Sequence, residues 1–281
     1  MISINTNYGG LYAANASRSS QALVDQAMER LSTGKRINYA KDDAAGQAIA
    51  VRLEAEIQGL AVAARNAADG QSMVDTADGA LQETQALLLR MRELAVQSSN
   101  ATNSTADRAA LQSEAASLEA EITRIAEATT WGGKVLLDGS FSGDMSVNTR
   151  TLQIGTTSGQ TIELSIPDMA ATAATIGYSV AHSIGSFTGA QSAIGSIDAA
   201  LSGVAEVRGK LGGISNRLDS TIANLNQVRV NLAASKGRIE DADFAEETGN
   251  LAKNQIMQQA AIAMVAQANA SKNNVLNLIQ S

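Results

Sequence analysis

The sequence predicts a mainly α fold: a long antiparallel helical bundle or coiled coil with a small β-hairpin region inserted in the middle. The 281 residues include only three Phe, four Tyr and one Trp, and there is a single Pro. A compact core usually contains more aromatic residues, because each one buries about 150–250 Å². A helix-favouring chain with 44% hydrophobic residues is instead typical of long helices packed closely side by side.

Helical patterning covers Met1 to about Ala128 and returns from about Ser196 to Ser281. Apolar residues spaced alternately by four and three, or by seven, indicate buried stripes. Three such stripes are Met73, Ala77, Leu81, Leu88, Met91 and Ala95, with Thr84 at one position of the seam; Leu111, Ala115, Leu118, Ile122 and Ile125; and the heptad Ile197, Val204, Leu211, Leu218, Leu225 and Leu232. Gly209, Gly212 and Gly213 are expected to weaken the heptad locally and to admit a close neighbour.

The middle of the chain, from about Thr129 to Gly195, is rich in Gly, Ser and Thr. Leu152 and Ile154 alternate with polar residues, as do Ile162, Leu164 and Ile166. The turn-forming segment 155–159 lies between them, so the pattern predicts a β-hairpin that Pro167 ends. A further strand is predicted at 134–137, where the turn dipeptide Asp138-Gly139 closes it.

Both chain ends are predicted to be amphipathic helices with few charges. Ile4, Tyr8 and Leu11 form a stripe at the start, and after Glu247 only Lys253 and Lys272 are charged. The stripe at the other end is Met257, Ala261, Met264, Ala268, Ser271, Val275 and Leu278. Because an isolated helix is marginal in water, the two ends either pair with each other and promote assembly, or pack on their own domain. The pattern is compatible with both arrangements.

Composition argues against most other classes of function. The net charge is −7 and no basic run exceeds two residues, which disfavours nucleic-acid binding. No apolar stretch has the roughly 18–20 residues that insertion into a membrane needs. With no Cys and only His182, a zinc site or a histidine-based catalytic triad is not expected. The sequence predicts no catalytic residue, no cofactor and no metal, and the N-terminus lacks a signal peptide, so the default location is the cytoplasm.

Several strings, taken in order, resemble the signatures of bacterial flagellins. At the N-terminal end they are residues 31–38 (LSTGKRIN), 40–50 (AKDDAAGQAIA), 66–70, 76–81 and 90–98 (RMRELAVQS). Residues 133–139 (GKVLLDG) resemble the family's entry into its β region, and residues 238–245 (RIEDADFA) and 266–269 resemble its C-terminal signature. The resemblance covers about residues 1–140 and 195–281.

The resemblance implies a structural subunit of the flagellar filament that self-assembles through its terminal helices into a tube for motility. It implies a terminal coiled-coil domain at 1–43 and 238–281, a helical bundle at 44–137 and 196–237, and a short variable insert at 138–195. It also implies type III export to the cell exterior, which replaces the cytoplasmic default. The implied partners are other copies of the chain, the filament cap, hook-junction proteins and an export chaperone that binds the C-terminal helix.

Three groups of site residues follow from the resemblance. The inner contacts of the filament are expected at Ile4, Leu11, Met257, Met264, Val275 and Leu278, and polar contacts between the filament's layers at Arg36, Asp42 and Asp43. Arg90, Leu94 and Glu114 match a face that the animal innate receptor TLR5 recognises in some flagellins, or they are simply subunit contacts. The alternatives are a hook–filament junction protein and a helical scaffold or adaptor, which would have protease-resistant ends and form a discrete oligomer.

Overall fold

The computed structural model describes residues 6–140, 149–171 and 183–280, and for residues 149 and 273–280 it describes the backbone alone. Within these ranges there are five helices and four short strands. The helices are α1 (Tyr8–Thr33), α2 (Ala44–Ser98), α3 (Thr105–Ala128), α4 (Phe187–Glu240) and α5 (Phe244–Gln280). The strands are β1 (Thr130–Trp131), β2 (Lys134–Val135), β3 (Thr149–Gln153) and β4 (Thr161–Ser165). The predicted mainly α fold is confirmed.

Each helix begins next to a short polar side chain that accepts a hydrogen bond from a backbone N–H of the first turn. These N–H groups have no partner inside the helix, so a side-chain oxygen there stabilises the helix start. The five bonds are Gly10 N–H to Asn7, Gly46 N–H to Asp43, Asp107 N–H to Ser104, Gly189 N–H to Ser186, and Ala245 N–H to Asp243. Local sequence therefore sets where the helices start.

The predicted helical zones are interrupted at three places that the apolar spacing did not reveal. Residues 34–43 separate α1 from α2, residues 99–104 separate α2 from α3, and residues 241–243 separate α4 from α5. Gly34 ends α1 in the left-handed conformation at φ 71°, which glycine adopts readily, and its N–H donates to the Arg30 carbonyl at 2.8 Å. Helix α4 also starts at Phe187, earlier than the predicted Ser196.

The predicted hairpin is confirmed as the antiparallel pair β3–β4, in which Leu152 lies opposite Ile162. The strand expected at 134–137 is shorter, because β2 ends at Val135 and pairs only with β1. Leu136 and Leu137 follow it as buried residues.

The chain divides into two compact units, Met1–Ile57 with Val230–Ser281 (unit 1) and Gln58–Arg229 (unit 2). The predicted boundary at 43 lies at the break before α2, whereas the predicted boundary at 238 and both boundaries between these units lie inside α2 or α4. The predicted division into a coiled-coil domain, a bundle and an insert stays a prediction. The segment expected to be a separate insert, 138–195, falls within unit 2. A Cβ atom added to Gly70 of α2 would lie 2.4 Å from Leu152 Cδ1, so the hairpin packs directly on the helix backbone.

The core of unit 2 contains most of the residues in the predicted stripes. Every member of the α2 stripe is buried, Thr84 included. In the heptad of α4 the residues are buried from Ile197 to Leu218, but Leu225 and Leu232 are half-exposed. Gly209, Gly212 and Gly213 are exposed, and an added Cβ would meet nothing within 4 Å, so no described part of the chain packs against them.

Candidate assembly interface

The two terminal helices, α1 and α5, pair with each other along unit 1. Asn7 Nδ2 donates to Asn269 Oδ1 at 2.9 Å, Gln258 Nε2 donates to Gln21, and Arg30 Nη1 lies 3.3 Å from Glu247 Oε1. As one residue number in these pairs rises the other falls, so the helices are antiparallel. The sequence is compatible with ends that pair with each other and with ends that pack on their own domain. In the structure the two ends pair with each other.

Small side chains form the seam between α1 and α5. The buried residues of α1 are Gly10, Ala13, Ser20, Val24 and Ala27, spaced by three, four or seven. On α5 the buried residues are Glu247 and Ala261, while Leu251, Asn254, Gln258, Val265 and Ala268 are half-buried. Hydrophobic stabilisation is about 25 cal/mol for each Å² of apolar surface removed from water. Gly, Ala and Ser make up most of the buried side of α1, and Val24 is its one larger apolar residue. The seam therefore removes little apolar surface from water, and pairing alone stabilises these helices weakly.

The stripe predicted on α5 differs from the observed seam by one position at two places. Ala261 and Ala268 belong to both, but the seam continues through Gln258 and Val265 rather than through Met257 and Met264. A search for apolar spacing selects positions with large apolar side chains. The two helices lie so close together that the positions between them hold small or flexible polar side chains instead. The two methionines therefore lie beside the seam, and both are more than half exposed.

Large apolar side chains lie on the outside of this helix pair. They are Tyr8, Leu11, Tyr12, Leu23 and Met28 of α1, and Phe244, Ile256, Met257, Ile262 and Met264 of α5, and we call them the outer apolar residues. Exposed apolar surface of this extent usually marks a site of interaction. Leu11, Met257 and Met264 of the predicted inner contacts belong to this set. Ile4 and the side chains of Val275 and Leu278 lie outside the described residues.

Two connectors of unit 1 pair with each other: residues 34–43, which join α1 to α2, and residues 241–243, which join α4 to α5. Lys35 and Asp241 form an antiparallel bridge, and the Ala242 N–H donates to the Gly34 carbonyl at 3.0 Å. Arg36 Nη2 donates to the carbonyl of Ile239 at 2.8 Å. This pairing fixes the path of both connectors within unit 1.

Asp42 and Asp43 shape the first connector. Asp42 Oδ2 accepts the N–H groups of Tyr39, at 3.0 Å, and Asn38, at 3.2 Å. The bond from the Tyr39 backbone is the main cause that holds the pKa of Asp42 below its ordinary value. Asp43 caps α2. Arg36, Asp42 and Asp43 thus all make bonds inside unit 1, and their contact between layers stays a prediction.

A charge network that the sequence analysis missed lies beside this connector. Glu240 contacts Lys35 Nζ at 2.5 Å and Lys236 Nζ at 3.4 Å, and Lys236 Nζ contacts Glu54 at 2.6 Å. These residues line a cavity of about 470 Å³. Burial raises the pKa of Glu240, but the hydrogen bonds and charges of the two lysines outweigh it, so this pKa lies below its ordinary value. Each charge is compensated, so the network has a structural role.

Arg90 and Glu114 meet on the surface of unit 2, where Arg90 Nη2 lies 2.9 Å from Glu114 Oε1. Arg90 also pairs with Glu93 at 2.9 Å. Leu94, the third residue of this predicted face, is buried in the core of unit 2 beneath them. The structure thus brings the two charged residues together and leaves the leucine inaccessible.

Two other kinds of site are absent from the described residues. Among them, no group of three or more His, Cys, Asp or Glu side chains is placed to hold a metal ion. No helix within the same ranges is long and apolar enough to cross a bilayer. His182 lies outside the described residues.

Comparison with known proteins identifies relatives along nearly the whole chain. The family model of the bacterial flagellin N-terminal helical region matches residues 4–142, and the family model of the C-terminal helical region matches residues 194–279. A flagellin of Halalkalibacterium halodurans is 45% identical, covering 96% of this chain and 98% of its own. The flagellin of Bacillus subtilis is 38% identical over 99% of both chains. A crystal structure of Bacillus cereus flagellin matches with a TM-score of 0.51 at 30% identity, covering 61% of this chain and 94% of that one.

The small-residue seam predicts that Ala27→Leu destabilises unit 1. Ala27 is 1% exposed, so a larger side chain has to push α1 away from α5. Forcing extra methylene groups into a packed site costs about 1–3 kcal/mol. Ala22→Leu is the matched control, because Ala22 is exposed on the same helix and its change is expected to stay within about 0.5 kcal/mol. Denaturant unfolding measures both, and equal stabilities would contradict the close packing of the seam.

The pKa of Glu240 predicts a pH-dependent contribution to the stability of unit 1. A lowered carboxyl pKa stabilises the fold above the unfolded value of about 4.3, and this contribution is lost as pH falls through the folded pKa. Glu240→Gln is expected to lower the free energy of unfolding at neutral pH by roughly 0.5–1.5 kcal/mol, allowing for screening by solvent. The difference should shrink as pH falls through the folded pKa of Glu240, because the parent carboxyl then becomes protonated.

Glu206→Gln is the control for this measurement, because Glu206 pairs with Lys210 on the same helix with both side chains exposed. Exposed pairs contribute little, so its effect should be near zero at every pH. A pH-independent loss in Glu240→Gln would show that the change removes packing rather than a charge.

Proposed function

Since this chain belongs to the bacterial flagellin family and is a structural subunit of the flagellar filament, we propose that it polymerises through the outer apolar residues of α1 and α5. The family is a structural one, so the chain is not an enzyme. What remains to be assigned is the surface that joins one copy to the next.

The observation that carries the proposal is the inverted distribution of side chains in the terminal helix pair. In an ordinary two-helix coiled coil the large apolar residues fill the seam. In unit 1 the buried side of α1 holds Gly, Ala and Ser with a single Val, whereas most of the large Leu, Met, Ile and Tyr side chains of the two helices lie outside the seam. Fully burying one such large side chain contributes about 1.5–3 kcal/mol. Contact with further copies would bury the surface that the pair leaves in water.

Assembly of this kind also has to offset the entropy lost when a subunit is immobilised, which is estimated at about 4–15 kcal/mol. The outer apolar residues exist on both helices, so each copy presents several anchors to its neighbours. Ile4, Val275 and Leu278 are proposed to extend these contacts along the inner tube, as the spacing of their stripes predicts. The subunits would then line the tube with the terminal helices.

The remaining partners are proposals that rest on the same surface. We expect export to the cell exterior through the flagellar type III apparatus, and binding of α5 by an export chaperone before assembly. The near absence of charge on α5 after Glu247 suits a helix that is covered both by a chaperone and by other subunits in turn. The filament cap and hook-junction proteins would contact the same terminal helices at the two ends of the filament.

Recognition by TLR5 is proposed for the surface of α2 and α3 that contains Arg90 and Glu114. Both side chains are about half exposed and form an ion pair that fixes their positions. Leu94 would act indirectly, because it supports α2 from the core. A subunit contact at the same place is the alternative, and it predicts no loss of receptor signalling when Arg90 is replaced.

Replacing two of the outer apolar residues tests the assembly surface. The double variant Leu11→Gln, Met264→Gln is expected to elongate short seeds of the parent filament at least about tenfold more slowly, because two anchors lose their hydrophobic contribution. Elongation is measured as filament length by negative-stain electron microscopy, and circular dichroism of the free chain checks that it remains helical.

The control is Leu89→Gln, which makes the first of these two changes at an exposed leucine of unit 2 and should elongate seeds like the parent. Growth of the double variant at the parental rate would contradict the proposed surface. A parent chain that itself forms only discrete particles with protease-resistant ends would count against growth through the terminal helices.

Arg90→Ala tests the receptor proposal. Free chain carrying this change should activate a TLR5 reporter cell at least about tenfold less well than the parent, because Arg is one of the residue types enriched among the side chains that dominate such contacts. Arg124→Ala is the control, because Arg124 forms an exposed ion pair with Glu121 on α3. Equal activity of parent and Arg90→Ala chains would show that this face is not the one recognised.

A further inference from the structure

The methionine residues fall into two groups by burial. Six of the eight lie where the structure describes their side chains. Met28, Met257 and Met264 are 55%, 54% and 61% exposed, and all three lie on the terminal helices. Met73, Met91 and Met169 are 4%, 1% and 1% exposed, and all three lie in the core of unit 2.

We propose that Met257 and Met264, together with Met28, are sites of reversible sulfoxidation that decide whether a free chain can join a filament. The inference about assembly rests on the proposed function, because it requires these side chains to be covered by the next copy. The inference about the sites rests on exposure alone. Oxidation of methionine follows the access of the oxidant to the thioether sulfur.

Met257 and Met264 are seven residues apart on α5, which places them two turns apart, about 10.5 Å, on the same flank of the helix. Each lies next to a half-buried seam residue, Gln258 or Val265. No charged side chain lies between them, since Lys253 and Lys272 are the only charges after Glu247. Both side chains, each more than half exposed, therefore lie in a long uncharged strip that is open to solvent in the free chain.

The reaction needs a two-electron oxidant, for which hydrogen peroxide is the simplest probe. The thioether sulfur attacks one peroxide oxygen, an S–O bond forms and the O–O bond breaks. The proton on the transferred oxygen passes to the leaving hydroxide, so the products are a sulfoxide and one water. Sulfur is oxidised by two electrons and the peroxide is reduced by two, and thiol-dependent sulfoxide reductases reverse the change.

A sulfoxide at these positions would oppose assembly because it is polar. Its oxygen is a hydrogen-bond acceptor, and burial without a donor carries a penalty. The outer apolar residues around it offer aliphatic and aromatic surface instead. Once a chain is within a filament the same contacts would exclude the oxidant, so only unassembled chains would be modified and rejected from the growing end.

The first experiment measures the sites on the free full-length chain. The chain is exposed to limiting hydrogen peroxide, quenched at intervals and analysed by peptide mass spectrometry. Met28, Met257 and Met264 are expected to form sulfoxide at least about tenfold faster than Met73, Met91 and Met169. Equal rates in the two groups would overturn the assignment of the sites, whatever the chain does in assembly.

The second experiment measures elongation of untreated seeds and compares each chain with itself before and after peroxide. The parent is expected to lose at least about tenfold of its growth rate, a change that corresponds to 1.4 kcal/mol. A Met28→Leu, Met257→Leu, Met264→Leu chain is expected to keep its own untreated rate. A Met73→Leu, Met91→Leu, Met169→Leu chain retains the exposed sulfurs and is expected to lose growth like the parent.

Two results would overturn the inference. One is a parent that elongates normally after sulfoxide has been verified at Met257 and Met264, and the other is equal loss of growth in both triple variants. Failure of the untreated parent to elongate seeds would instead count against the proposed function. In that case the rates on the free chain still decide whether these three residues are the oxidation sites.

Discussion

The close, small-residue contact between α1 and α5 is the constraint on which the rest of unit 1 depends. Gly10, Ala13, Ser20 and Ala27 let two helix backbones approach one another, but they cannot supply much hydrophobic stabilisation. Register is therefore left to polar pairs along the seam, from Asn7 with Asn269 to Arg30 with Glu247. Hydrogen bonds and an ion pair thus set the register of the two helices, while most of their large apolar side chains remain exposed.

The connectors limit how the helix pair can move at one end. The bridge between Lys35 and Asp241 joins two segments that are about two hundred residues apart in sequence, and the Glu240 network adds charged contacts beside it. Unit 1 is thus fixed at the connector end, where the two connectors pair with each other. Toward the chain termini the seam has only the weak contacts described above.

Much of this fold could be predicted from the sequence, and the exceptions have physical reasons. The Met73–Ala95 stripe is buried throughout because every position of the stripe faces the large core of unit 2. On α5 the same method selected Met257 and Met264, since periodicity records hydrophobicity and not the size of side chain that a close helix pair can accept. The Glu54–Lys236 contact spans 182 residues and leaves no local signal. The breaks at 34–43 and 99–104 depend on single glycine and capping residues within otherwise helical sequence.

The scarcity of charge on α5 has a thermodynamic consequence. With only Lys253 and Lys272 after Glu247, Coulomb attraction contributes little along this helix, and simple salts should screen little there. Association would instead have the signature of apolar hydration: nearly athermal at room temperature, with a negative heat-capacity change, weaker on cooling and stronger with excluded salts such as sulfate. A tube held together in this way would be sensitive to cold rather than to ionic strength.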